Sequence, residues 1–423
     1  MQEEEEDDDD KVRPTSLVRA KCASSPHDVD MAAARSVPTP VPGTALSMMR
    51  AQAADVAQGA GIDISDAHID QFLRSLSQDR FEKHKAQHGL RFPLRFGSWA
   101  EECNFLCVLS LLNAFSGYRV DFHKVTGHGS YDNVRRCVMG LYLSSDDGTS
   151  LQADALARVS TTELAQILGV PTHTEEAHPS LPFVTVGTVG GPLEEPLAIA
   201  ASLCKEAGTY LQQRGYKDFA SYLLDVCKDA LTHDNVDTYV LEGIARIPGF
   251  DDATIVDDEP LYMYKKALFL LHALQGLIMA SAHDVPSIIQ AMTQHWATHP
   301  KAPLPLFVDN VLPTMLTAVG ILQLAHSNIV PLQTWHPEPV PGGDKDVAGP
   351  TLSQEDAYRI RAAALSAGDR IVRRAHQLAH EETALAWMAT MTESDLDAYL
   401  WSYAKDPSLR SIPRLSERHT GMY

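Results

Sequence analysis

The chain has 423 residues and carries no excess of positive charge, no long apolar run and no cysteines in Cys-x-x-Cys spacing. Each absence excludes a class of function. The formal net charge is −20, whereas wrapping a polyanion relies on clustered Lys and Arg that release counterions, so no stable nucleic-acid complex is expected. The longest apolar runs, such as Ala267 to Leu271, stop far short of the length that spans a bilayer, and no membrane partner is expected. Six cysteines are scattered along the chain, and Cys103 and Cys107 share one helix face, where core packing is the ordinary role. The acidic start lacks the basic-then-apolar pattern of a secretory signal, so a reduced, cytoplasmic setting is the expectation.

Common catalytic signatures are also missing. No Gly-x-Ser-x-Gly elbow is present. Gly187-Thr188-Val189-Gly190-Gly191 lacks the lysine of a phosphate loop and is expected to be a turn. His376 and His380 have the i, i+4 spacing of zinc ligands, but the Glu of His-Glu-x-x-His and a third ligand are absent; a solvated helix face is the expectation, with no metal and no cofactor.

What the chain does have is apolar content for a large core, 44% of residues, arranged mostly at helical rather than strand spacing. Residues 1 to 43 combine the acid run Glu3 to Asp10 with Pro38-Thr39-Pro40-Val41-Pro42-Gly43 and no apolar period, the composition of a disordered acidic tail. The tail's eight acids leave −12 for the remainder. Residues 44 to 423 are expected to form a single large, mainly α domain. Helices are expected near Ala45, after Asp63 or Ser65, over Trp99–Phe115 as a central element buried on most faces, and then at Tyr131–Ser144, Thr161–Leu168, Pro192–Arg214, Lys217–His233, Asp237–Arg246, Met263–Ala280, Val285–His295, Val311–Leu324, Ser353–Met388 and Glu393–Tyr403. Leu181 to Val189, rich in Val and Thr, is the best candidate for an extended segment. The breaker-rich stretch 330–351 reads as a surface excursion.

One carboxylate stands out. Asp309 lies in the apolar run Phe307-Val308-Asp309-Asn310-Val311-Leu312-Pro313, where an ionised group needs a partner. It is either a cap of the helix from Val311 or a working charge. Two more segments bear on the choice: Met263-Tyr264-Lys265-Lys266-Ala267, which puts cations at a helix start against the dipole, and Leu396-Asp397-Ala398-Tyr399-Leu400-Trp401-Ser402-Tyr403-Ala404.

In this order, and with a Tyr at position 423, these three segments resemble the queuosine salvage protein family, the queuosine 5′-phosphate N-glycosidases. The resemblance runs from about Ala54 to Tyr423 and includes Asn104-Phe105 and Ser116-Gly117-Tyr118; residues 118 to 196 and the last seven residues follow the family pattern only in part. It implies a helical fold related to base-excision DNA glycosylases and metal-free hydrolysis of queuosine 5′-monophosphate, a small-molecule substrate, to queuine and ribose 5-phosphate. Asp309 would be the catalytic carboxylate facing the anomeric carbon, as an oxocarbenium-like transition state requires. Lys265 would meet the 5′-phosphate with Tyr264 as a hydroxyl donor, Asn104 and Phe105 would read the base, and Asp397, Tyr399 and Trp401 would approach the same cavity. Glu101, Glu102 and Asp397 are the candidates to meet the secondary amine of the base. Structural roles compete throughout: a buried amide for Asn104, core packing for Trp401. The other functions considered are a non-catalytic helical nucleotide-binding protein and an N-glycosidase for another ribonucleotide.

Overall fold

The computed structural model describes residues 37–86, 90, 92–145, 148–178, 180–280, 285–343 and 346–423. The expected disordered tail lies, up to residue 36, outside the described residues. Residues 37 to 43 depart from that expectation. They are held against the helical body, with the Tyr262 hydroxyl donating to the Pro38 carbonyl at 2.7 Å and the Gly43 N–H donating to the Glu242 carboxylate at 2.9 Å. These backbone contacts secure a segment that has no apolar period of its own.

Residues 37–423 form one unit that is mainly helical, with three two-stranded antiparallel pairs among the described residues. The helix Trp99–Leu111 lies at its centre. Ser98 caps it by accepting from the Glu101 N–H at 3.2 Å, and every residue from Cys103 to Leu111 is buried. It packs on Lys265–Ala280, Phe219–Ala230 and Ser130–Tyr142, so apolar side chains on all its faces find partners. The longest helix, Gln354–Glu381, capped by Ser353, packs along Ala45–Gly59 and carries the buried Arg361.

Helix ends follow local chemistry where side chains cap them. Ser65, Ser77, Ser160, Asp218 and Thr392 each accept a first-turn N–H. The helix from Val311 was expected to reach Leu324 but stops at Ala318, because Gly320 takes φ +77° and Leu322–Gln323 pairs with Asp63–Ile64. The pair His173–His178 with Leu181–Val189 contains the expected extended segment. A further hairpin, Ala253–Val256 with Glu259–Tyr262, turns on Asp257 and Asp258, both at positive φ.

The C-terminal segment after Tyr403 runs back over the body without regular structure. Leu352 N–H donates to the Ser416 carbonyl at 2.8 Å, Ser416 N–H to the Pro350 carbonyl at 3.0 Å, and Phe115 N–H to a Tyr423 oxygen at 3.0 Å. Gly117 is required for this crossing, since a Cβ there would stand 2.1 Å from the Glu417 carbonyl oxygen.

Candidate functional site

Asp252 organises the first half of the site. Its carbonyl accepts the N–H groups of Met263 and Tyr264, both at 2.9 Å, and its Oδ2 accepts that of Lys265 at 3.1 Å. Tyr264 takes a left-handed φ of 44°, a conformation that costs a non-glycine residue free energy and that these three bonds sustain. The result is a sharp entry into the helix Lys265–Ala280 that points the Lys265 side chain inward. Asp252 is itself held by Arg361, with Nη2 to Oδ2 at 2.5 Å and Nη1 to Oδ1 at 3.1 Å, and by the Tyr358 hydroxyl at 2.7 Å. Burial would push its carboxyl up, but the Arg361 guanidinium prevails and holds it below the usual range.

The second half is the extended run before the helix Val311–Ala318. Arg361 Nε donates to the Val308 carbonyl at 3.0 Å, and Asp397 accepts the Phe307 N–H at 2.8 Å. Asn310 donates to the Leu415 carbonyl. Between these anchors Asp309 is 6% exposed, and its Oδ1 accepts the Val311 N–H at 2.7 Å. Its Oδ2 has no hydrogen bond among the described residues. One oxygen is thus used locally, as a helix-start residue would use it.

Asp309 and Lys265 line one cavity of about 110 Å³. Lys265 is 4% exposed, and its Nζ donates to the Asn113 carbonyl at 2.5 Å. Burial pushes its pKa down to about 8, with Asp309 the strongest charge working the other way. The wall includes Trp401 and Tyr131, whose rings meet edge to face at 5.1 Å, and Lys405, whose Nζ lies 3.1 Å from the centre of the Trp401 ring. Arg119, Arg410 and Arg414 add to it. Five basic side chains stand against two carboxylates, Asp309 and Asp132, which makes this cavity basic within an acidic chain, although burial pushes the Lys405 pKa down to about 7.

Of the seven residues singled out in the sequence, Asp309, Lys265 and Trp401 line this cavity, and four do not. Asn104 accepts the Ala220 N–H at 2.8 Å and so serves the start of the helix Phe219–Ala230. Phe105 is fully buried among Phe92, Phe96 and Tyr142. Tyr264 stacks on Tyr262, with ring centres 5.6 Å apart. Asp397 holds the backbone of Phe307. Tyr399, Glu101 and Glu102 are likewise not on the wall; Glu101 accepts from Gly97 N–H and the Tyr142 hydroxyl. His376 hydrogen-bonds the Met391 carbonyl at 2.8 Å.

Sequence reasoning missed Arg119, Ser130, Tyr131, Lys405, Arg410 and Arg414. The last three follow the final helix, where no apolar period marks them. A larger groove of about 980 Å³ runs beside Ala45–Gly59 and Gln354–Glu381, but its charges are occupied with one another, as in Arg374 with Asp70 at 2.6 Å and Arg370 with Asp66 at 2.5 Å. No described helix is long and apolar enough to cross a membrane. No family model matches the chain, and no curated protein matches it.

Proposed function

We propose that the protein is a nucleotide N-glycosidase that hydrolyses queuosine 5′-monophosphate to queuine and ribose 5-phosphate in the cytoplasm, supplying the base for transfer RNA modification. One observation carries this reading. A carboxylate at 6% exposure, with one oxygen uncommitted, lines the same basic, aromatic-walled cavity as a buried lysine. The helical architecture is in keeping with a fold related to base-excision DNA glycosylases, which the motif resemblance implies.

The chemistry needs little more than this. The base is a 7-deazapurine, so protonation at N7 cannot activate it, and the sugar side must carry the transition state. As the bond from C1′ to the ring nitrogen breaks, its electron pair goes to the base and positive charge develops on the ribose. Asp309 Oδ2 stabilises that charge from a site sheltered from water. Water supplies the hydroxyl that ends on C1′ and, in balance, the proton that ends on the base. Asp309 in turn favours the charged form of Lys265 against the burial that opposes it. Trp401 and Tyr131 give the cavity an aromatic wall beside which a flat base could lie.

A second reading is supported by the bond from Val311 N–H to Asp309 Oδ1, which a purely structural helix-start residue would also make. It is a nucleotide-binding protein without activity. Incubation with a panel of nucleoside 5′-monophosphates, followed by chromatography of free base, separates the possibilities. Queuine release from queuosine 5′-monophosphate is the expected result. Release from none of the panel removes the enzyme reading, and release only from a common purine or pyrimidine nucleotide moves it to another substrate.

A further inference from the structure

Half of the exposed large apolar side chains among the described residues fall on one strand, Leu181–Val189: they are Leu181, Phe183, Val184, Val186 and Val189, with Phe183 fully exposed. Neighbouring residues of a strand point to opposite faces, so both faces of the pair His173–His178 with Leu181–Val189 meet solvent. Among the described residues no third strand joins it. A two-stranded pair exposed on both faces is marginal in water, and an apolar strand edge is a template for another strand. Leu181–Val189 also has no charged residue, the usual device that keeps such an edge unpaired.

The backbone decides what this edge can pair with, and in what register. The Gly190 N–H donates to the Thr172 carbonyl at 3.0 Å, and from there Val189 lies opposite His173, Thr188 opposite Thr174 and Val186 opposite Glu176. Hydrogen-bonded pairs alternate along an antiparallel ladder, so Thr188 and Val186 bond towards His173–His178, while Val189, Gly187 and Thr185 turn their N–H and C=O groups to the open edge. Thr185 is also the midpoint of Leu181–Val189. Antiparallel pairing of this strand with its own copy, about a two-fold axis at Thr185, therefore meets each outward donor with an acceptor. Thr185 then faces the partner's Thr185, Phe183 the partner's Gly187, Val184 the partner's Val186 and Leu181 the partner's Val189. A ring beside a glycine and aliphatic side chains beside one another are favourable cross-strand pairs. The other edge is unsuited to this. Pairing His173–His178 with its own copy about its midpoint sets Glu175 against the partner's Glu176, and like charges opposed across strands are destabilising.

We propose that Leu181–Val189 is a self-association edge, through which two copies of the chain join antiparallel, Thr185 against Thr185, into a four-stranded sheet. None of its residues lines the cavity of Asp309, and the association does not depend on the catalytic reading. Edge-to-edge contact of two such hairpins covers on the order of 1,000 Å² in total, the lower end of specific interfaces, so the dimer is reversible rather than obligate. The chain's net charge of −20 repels a second copy at long range, and salt is expected to tighten the association.

The test is sedimentation velocity of the full chain, on the wild type, Thr185→Lys and Glu176→Lys. Both positions are exposed, so neither change disturbs the helical body. The wild type is expected to pass from monomer to dimer between about 1 and 200 μM, as an interface of this size predicts. Thr185→Lys sets two like charges against each other at the axis and is expected to move that transition at least about tenfold higher in concentration. Lysine lowers the net negative charge, so the weakening cannot come from long-range repulsion. Glu176→Lys is expected to leave the transition within about threefold, because it lies on the other strand. A second measurement fixes the register. Residues facing each other at the axis have Cα atoms about 5.5 Å apart, within the span of a disulfide, so Thr185→Cys is expected to give a covalent dimer under mild oxidation. The wild type, whose described cysteines are all buried, is not. A wild type that stays monomeric throughout overturns the assignment, as does a dimer indifferent to Thr185→Lys. A dimer that Glu176→Lys tightens tenfold or more belongs to the other edge and overturns it too, and a Thr185→Cys chain that dimerises without crosslinking overturns the register.

Discussion

Arg361 grips Asp252 through two buried hydrogen bonds while its Nε holds the Val308 carbonyl at 3.0 Å. This one guanidinium joins the segment that aims Lys265 to the segment that carries Asp309. Tyr423 and Tyr358 lie 4.3 and 4.8 Å from its carbon, so the chain's last residue packs on the same hub.

Removing one member of that pair leaves the other buried and charged. Arg361→Met and Asp252→Ala are each expected to cost about 3–5 kcal/mol of stability, read from chemical denaturation midpoints. Of the two, Asp252→Ala also frees the N–H of Lys265, so its residual activity is expected to be the lower.

Asp309→Asn keeps an oxygen that can accept the Val311 N–H, so the fold is expected to be retained within about 1 kcal/mol. Its rate of base release is expected to fall on the order of a hundredfold or more. A folded variant with near wild-type turnover would remove Asp309 from the chemistry and leave it a helix-start residue.

Lys265 is charged below its folded pKa of about 8 and neutral above it. As Lys265 deprotonates the cavity loses one of the positive charges that attract an anionic nucleotide, so kcat/KM for the nucleotide is expected to fall as pH rises through about 8, since this ratio reports groups of the free enzyme. In Lys265→Met the profile is expected to be low and to lack that limb.

Lys266 is fully buried and donates to the carbonyls of Leu111, at 3.0 Å, and Gly421. Burial lowers its pKa to about 7, while the unfolded chain titrates it near the ordinary lysine value of 10.5. Between those values the unfolded state binds more protons, so this lysine's contribution to stability rises with pH from about 7 to 10.5. The stability difference between wild type and Lys266→Met is expected to move in favour of wild type over that window. Denaturation at pH 6.5 and pH 9.5 of both proteins cancels the titrations they share.

Much of the helical architecture was legible. Thr161–Leu168 and Glu393–Tyr403 start and stop where the apolar period and their capping Ser160 and Thr392 place them. The hairpin through Asp257 and Asp258 was not, because its turn uses two aspartates at positive φ where Asn-Gly or Asp-Gly would have announced it. In the site, Asp309 was visible as a charge inside an apolar run, and Lys265 as a cation at the wrong end of a helix. Asn104, Phe105, Tyr264 and Asp397 belong to the same resemblance, yet their side chains go to Ala220, to an aromatic cluster, to Tyr262 and to Phe307. A motif marks which residues neighbour a site in sequence and not which of them face it.

Composition and periodicity by themselves determined a mainly helical chain with a large core, because burial of apolar faces at helical spacing acts within each segment. The meeting of Lys265, Asp309, Ser130 and Arg414 around one cavity was decided only in three dimensions. That convergence depends on Arg361 bridging Asp252 to Val308 and on a C-terminal stretch whose carbonyls and N–H groups bond to distant backbone, interactions that leave no local pattern to read.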